Sequence, residues 1–317
     1  MSDWLGEIVE KVSEFANMVF DITKIRPLYR HVNKLISEAG KPNVVSDQAA
    51  EQLLGVWLGH KTYAAGSYLY VGPKERQGRI VTSELPKPEG CVRIVIVSDT
   101  HECHDLLDIP NGDVLLHTGD FLMMNPWFSR NRSIEKLIEF NDWLGSLPHK
   151  EKFVIGGNHD KICEELGKEK VASILSHCRY VENEAVRMES GLLLYGTPAS
   201  KRNSQVSPND TFQYDPEVLE EIVGSIPRSV DIFMCHGPPD ALPPILDYVM
   251  THQPPLCVFG HVHERNGVEF GALGDTLSLN GASLGEGFNP NRTPVVHDFC
   301  IVPSTGEETH CKRSAKL

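Results

Sequence analysis

Aspartates, histidines and one asparagine recur in short polar clusters along the chain. They are Asp99 and His101 in SDTH, Asp120 in HTGD, Asn158 and His159 in GGNHD, His236 in CHG, and His261 and His263 in GHVH. Carboxylate, carboxamide and imidazole are hard or borderline donors, suited to Mn, Fe or Zn rather than to a soft thiolate metal. His261 and His263 stand two residues apart, so strand alternation would send both rings to one side. Adjacent imidazoles repel when protonated, which leaves two readings: solvated rings, or neutral nitrogens facing a cation. Taken singly, Asp99 could cap a helix, Asp120 open a turn, Asn158 take a left-handed turn position and His236 sit in a core. Taken together they supply donors for two divalent metal ions.

The elements that carry these groups explain why they would converge. VRIVIVSD, DVLLHTGD, KFVIGGNHD, LLLYGTP, DIFMCHGPP and LCVFGHVH are apolar runs ending in polar, Gly or Pro residues. Between most of them lie helical patterns such as SIEKLIEFNDWLGSL, KEKVASILSHC and PEVLEEIVGSI. Strands alternating with helices predict an α/β fold with buried parallel strands, and every donor falls at or just past a strand's carboxyl end. That edge is where open α/β sheets bind ligands. Residues 268 to 302 read as shorter strands with Gly and Asn at the turns.

Residues 1 to 90 follow a different pattern and form an N-terminal, mainly helical extension. Leu5, Ile8, Val9, Val12, Phe15, Ala16 and Val19 recur at helical spacing, a second segment runs from Leu28 to Ala39, and a third begins at Ser46 or Asp47 and stops before Gly59. SYLYVGP and GRIVTSE then read as two short strands, and LPKPEG marks a boundary at 85 to 90. Such amphipathic helices pack on the main domain or dock on a partner or membrane.

Of 317 residues, 40% are hydrophobic and 23% charged, ordinary values for a globular protein. The net charge of −13 offers no basic excess to release counterions from a nucleic-acid polymer. A small anionic substrate remains compatible where metal ions reverse the local field. Cys91, Cys103, Cys163, Cys178, Cys235, Cys257, Cys300 and Cys311 lack framework spacing and read as buried, reduced thiols. No apolar run approaches the length of a transmembrane segment, and the N-terminus carries no secretory pattern. The terminal Ala315-Lys316-Leu317 is similar to the Ser-Lys-Leu signal read by the peroxisomal import receptor, so residues 306 to 317 form a targeting tail and the expected location is a peroxisome-type organelle, otherwise the cytoplasm.

The ordered series DTH, GD, GNHD, a lone His and GHVH resembles the calcineurin-like metallophosphoesterase superfamily over about residues 90 to 305. HTGDF, FVIGGNHD, CHGPP, NGAS and TPVVHDF look most like its metallophosphoesterase-domain-containing branch, which is similar to class III cyclic-nucleotide phosphodiesterases. The resemblance implies a four-layer α/β/β/α sandwich over residues 91 to 305. It also implies that Asp99, His101 and His263 hold one ion, that Asn158, His236 and His261 hold the other, and that Asp120 bridges both. A hydroxide acidified by the metals would attack phosphorus in line, with His159 stabilising charge or protonating the leaving oxygen. Asp160 would orient His159 or cap the helix that begins near Lys161. Protein phosphatases of the superfamily read GDxVDRG, whereas this chain reads GDFLMMN and lacks that Arg and Asp.

The expected activity is therefore hydrolysis of a small phosphodiester, a cyclic nucleotide first, with manganese as the first metal. The alternatives are a phosphomonoesterase, or a weakly catalytic nucleotide-binding or scaffold protein with function in the extension. Arg130 and Arg132 could meet a phosphate or be solvated. His104 and His117 could orient a ligand or be ordinary polar residues near the rim. Pro238 and Pro239 shape the pocket mouth, and Phe121, Trp127 and Phe128 are candidates to grip a base. Oligomeric association through the extension is compatible with the sequence.

Overall fold

Alternation with period two assigns the faces of the apolar runs and thereby the layers. In β3 (Cys91–Val97), Ile94 and Ile96 join one buried cluster while Val95 and Val97 join another. The structure is a computed structural model that describes residues 66–123, 129–202, 209–269, 273–285 and 290–301. The helices expected before Gly59 and the C-terminal tripeptide lie outside those residues.

The first sheet adds β1 (Tyr68–Val71), β2 (Arg79–Val81), β4 (Val114–His117), β5 (Glu151–Val154), β6 (Arg179–Tyr180) and β13 (Val295–Cys300), in the order β2-β1-β13-β3-β4-β5-β6. Strands β3 to β6 run parallel, and β13 lies antiparallel to β3. The second sheet contains β7 (Glu184–Arg187), β8 (Leu193–Thr197), β9 (Ile232–Cys235), β10 (Leu256–Phe259), β11 (Gly267–Glu269) and β12 (Leu277–Asn280), in the order β11-β12-β10-β9-β8-β7. Its inner strands β12, β10, β9 and β8 are parallel, and both edges are antiparallel.

Three apolar layers hold the sheets together. Ile94, Ile96, Leu116 and Phe153 meet Leu194, Ile232, Met234 and Val258 between the sheets. The outer face of the first sheet is covered by α1 (Arg130–Ser146), α2 (Lys161–Leu166) and α3 (Lys168–Ile174), through Leu137, Phe140, Leu144, Ile162 and Val171. The outer face of the second is covered by α4 (Pro216–Gly224) and α5 (Pro243–His252), through Leu219, Ile245 and Val249. The result is the expected α/β/β/α sandwich. Truncating one fully buried Leu or Ile here costs about 2–5 kcal/mol.

Two features at the first sheet's β13 side correct the sequence reading. The strands of SYLYVGP and GRIVTSE are built into this sheet, with Tyr70 in register with Val296, so the sandwich begins before LPKPEG. A buried ion pair secures them: Arg93 Nε and Nη2 each donate to Asp298 at 2.8 Å, and the Tyr70 hydroxyl donates to the same carboxylate at 2.8 Å. Burial and that carboxylate push the Tyr70 phenol up to about 12. Cys91 and Cys300, expected as reduced thiols, are joined by a disulfide. They are register partners on adjacent antiparallel strands but stand 209 residues apart, beyond what spacing could suggest. Among the described residues, Cys103, Cys163, Cys235 and Cys257 are buried and Cys178 is half-buried.

Candidate active site

Four of the seven donors sit on backbone that most residues avoid. Asp99 (φ 51°), His101 (φ 40°), Asp120 (φ 53°) and His261 (φ 69°) all occupy the left-handed region. Non-glycine residues held there carry strain that surrounding contacts must overcome, and such strain concentrates at functional sites. Two glycines permit the close approach. A Cβ on Gly260 would lie 2.0 Å from Ser98 Oγ and 2.3 Å from Asp99 Oδ2, and one on Gly157 would lie 2.3 Å from Asp120 Oδ1.

The structure brings Asp99, His101, Asp120, Asn158, His236, His261 and His263 together. Asp99, His101 and His263 form one group with ligand atoms close enough to share an ion, and Asp120, His236 and His261 form another. Asn158 Oδ1 completes the second, at 2.9 Å from His236 Nε2 and 2.9 Å from His261 Nδ1. Asp120 Oδ2 lies between the groups, 3.4 Å from His236 Nε2 and 3.9 Å from His101 Nε2. The paired histidines of GHVH diverge, because β10 ends at Phe259 and strand alternation never reaches them. His261 turns toward Asn158 and His236, whereas His263, in a short 3-10 turn, turns toward Asp99 at 3.5 Å.

The histidine tautomers suit cation binding. His101 Nδ1 meets the Leu122 carbonyl at 3.2 Å and His236 Nδ1 the Thr118 carbonyl at 2.9 Å. A carbonyl only accepts, so each Nδ1 carries a proton and Nε2 is the nitrogen turned inward. His101 Nε2 and His263 Nε2 stand 3.3 Å apart. Two imidazole nitrogens at that distance need a proton or a cation between them, and the carboxylate-imidazole-carboxamide set fits two divalent ions of the Mn, Fe or Zn type.

The electrostatics match. Burial, then His159, lowers His101 to about 3, and burial, then His236, lowers His261 to about 4, so both rings stay neutral. Burial opposes the charge on His236 and Asp99, but Asp120 raises His236 to about 9 and His263 holds Asp99 down at about 2. Burial likewise opposes a charge on His263, which Asp99 overcomes to raise it. Carboxylates ionised at neutral pH and imidazoles drawn to positive charge make an environment of negative potential that a cation satisfies.

His159 completes the group. Its backbone N–H donates to Asp120 Oδ1 at 2.8 Å, and its ring lies edge-on to His101 with centroids 4.7 Å apart. Asn209 reaches in from the segment between β8 and α4, placing its amide nitrogen 2.8 Å from His159 Nε2.

Several sequence expectations are revised here. Asp160 neither orients His159 nor caps α2; it is fully buried and accepts N–H bonds from Asp120 and Gly157 at 2.8 Å and from Leu122 at 2.9 Å. It fastens the loops that carry Asp120 and Asn158. His117 is a brace of the same kind: its Nδ1 accepts Gly119 N–H at 3.3 Å, so its Nε2 donates to Thr100 Oγ1 at 3.1 Å. His104 packs edge-on to Phe140, with Trp143 also against it. Phe121 is fully buried and stacked on Phe140 at 4.4 Å, which removes it as a base platform, and Trp127 and Phe128 lie outside the described residues. Arg130 and Arg132 stand at the exposed start of α1, beside Glu165 and Glu135. Pro238 precedes a short 3-10 turn begun by Pro239, directly after the His236 loop. Neither Asp160 nor Asn209 bears a sequence signal of its role beyond the adjacency of Asp160 to GNH.

Comparison with known proteins agrees with this geometry. Residues 92–265 match the calcineurin-like phosphoesterase family. The chain is 33% identical over 255 residues to metallophosphoesterase domain-containing protein 1 of Homo sapiens and of Mus musculus, covering 69% of this chain and 74% of each relative. It is 32% identical over 269 residues to a UPF0046 protein of Caenorhabditis elegans, covering 72% of this chain and 90% of that one. The matched span carries every loop described above, and the chain therefore belongs to the calcineurin-like phosphoesterase family, as a metal-dependent phosphoric ester hydrolase.

Proposed function

We propose that the chain hydrolyses a small phosphodiester, a cyclic nucleotide being the first substrate class to test. The observation that carries the reading is Asp120 Oδ2 set between His236 Nε2 and His101 Nε2, which joins the two donor groups. Asp99, His101 and His263 would hold one divalent ion, Asn158, His236 and His261 the other, and Asp120 both. Manganese is the first metal to try. When bound, the ions acidify a water nucleophile and offset charge on the phosphoryl oxygens. His159, tied to Asp120 through its backbone, is placed to protonate the leaving oxygen or to stabilise charge on phosphorus.

The choice of a small diester rests on GDFLMMN, which lacks the Arg and Asp found in phosphoprotein-hydrolysing members, and on the branch resemblance of HTGDF, CHGPP and TPVVHDF. The similarity to metallophosphoesterase domain-containing protein 1 supports a metallophosphoesterase and goes no further. The ratio of turnover on bis-p-nitrophenyl phosphate to that on p-nitrophenyl phosphate, with 2′,3′- and 3′,5′-cyclic nucleotides alongside, tests the reading. A ratio above one with cyclic-nucleotide turnover supports it, and monoester preference contradicts it. The terminal Ala-Lys-Leu supports peroxisomal import, which loss of organelle targeting on deletion of Leu317 would test.

A further inference from the structure

The contact between Asn209 and His159 spans 50 residues of sequence and joins segments that follow different sheets. His159 follows β5 of the first sheet, whereas Asn209 follows β8 of the second. The two functional groups of Asn209 act on neighbouring site residues. Its backbone carbonyl accepts Asn158 Nδ2 at 3.2 Å, which turns Asn158 Oδ1 toward His236 and His261. Its side-chain amide nitrogen donates to His159 Nε2 at 2.8 Å. An amide nitrogen only donates, so His159 Nε2 accepts and the ring proton sits on Nδ1.

We propose that Asn209 is a positioning residue for phosphoester hydrolysis, its carboxamide fixing the orientation of the His159 imidazole. This rests on the reading of His159 as the group that meets the reacting phosphoester. The His159 backbone is held by Asp120 and its ring edge packs on His101, but neither contact fixes which ring nitrogen carries the proton. The Asn209 amide does. General acid-base groups work only within hydrogen-bond reach of the atom they serve, and small misplacements cost about 10²-fold in rate.

The backbone carbonyl is retained in any substitution of Asn209, so the Asn158 contact persists while the His159 contact is cut. Asn209→Ala, with Asn209→Ser as a second variant in case the first folds poorly, is expected to lower kcat by about 10- to 100-fold. KM and the number of bound metal ions stay at the wild-type value. On a His159→Ala background the same substitution changes kcat less than about twofold, because the group it positions is gone. Equal losses in both backgrounds, or unchanged kcat in Asn209→Ala and Asn209→Ser, overturn the proposal.

If the wild-type chain turns over no phosphoester, the functional reading fails, and the contact is judged apart from activity. Long-range 1H–15N spectra of the zinc-loaded full chain, with His159 assigned by its loss in His159→Ala, read the ring tautomer directly. A proton on Nδ1 in wild type and mixed tautomers in Asn209→Ala uphold the positioning contact. Identical spectra overturn it.

Discussion

The Asp160 carboxylate accepts the backbone N–H of Asp120, 40 residues earlier in the chain, at 2.8 Å. The same carboxylate also takes the N–H groups of Leu122 and Gly157, so one buried side chain satisfies three donors in the two loops that shape the site. Asp160→Ala leaves those donors without a partner, each at about 1–3 kcal/mol. The expected loss in urea denaturation is therefore several kcal/mol, together with weaker metal binding by calorimetry. Asp160→Asn, which keeps one acceptor oxygen, is expected to fall between. A variant as stable as wild type would contradict this role.

A methyl group at position 157 has no room beside Asp120. Gly157→Ala places its Cβ 2.3 Å from Asp120 Oδ1 and 2.6 Å from the Asp120 backbone nitrogen. The Asp120 side chain must shift, and metal affinity is expected to drop about 10- to 100-fold. Metal titration of the full chain followed by calorimetry checks this; unchanged affinity would mean that Asp120 takes no part in holding metal.

Arg93 and Asp298 form a pair with side chains 6% and 0% exposed, which makes removal of one partner costly. Arg93→Met strands the Asp298 carboxylate and is expected to destabilise the fold by about 3–5 kcal/mol. The double variant Arg93→Met with Asp298→Leu should recover much of that loss, since no isolated charge remains. Urea midpoints of the two variants give the comparison, and a double variant worse than the single one would contradict it.

His149 gives a pH dependence away from the metal site. Burial lowers its pKa to about 4, although its ring meets the Pro110 carbonyl at 3.1 Å, while an unfolded histidine titrates near 6.5. The unfolded chain therefore binds a proton between those values that the folded chain does not. Its contribution is present above about pH 6.5 and is lost as pH falls toward 4. Wild type should lose on the order of 2–3 kcal/mol relative to His149→Gln between pH 7 and pH 4. Urea denaturation across that range reads the difference, and a constant difference would refute the assignment.

Much of this was legible in the sequence, for reasons that differ by element. The strand ends bearing Asp99, Asp120, Asn158, His236 and His261 stood out because apolar runs of four to seven residues stop abruptly at polar ones. The layers followed from alternation, as with Ile94 and Val95 facing different cores. What escaped depends on contacts that no local pattern encodes. The divergence of His261 from His263, which the family resemblance implied and strand alternation did not, depends on a left-handed backbone after Gly260, and β6 is two residues long. Asn209, Asp160 and the Cys91–Cys300 pair reveal their partners only when distant segments are brought together.

The central claim is that the donor groups joined by Asp120 perform metal-dependent phosphodiester hydrolysis. The direct measurement is turnover of bis-p-nitrophenyl phosphate by the full chain reconstituted with manganese, wild type beside Asp120→Asn. The account predicts turnover by wild type and a loss of at least about 10²-fold in the variant, which keeps its fold. Equal turnover by both proteins, or none from metal-loaded wild type, would contradict it.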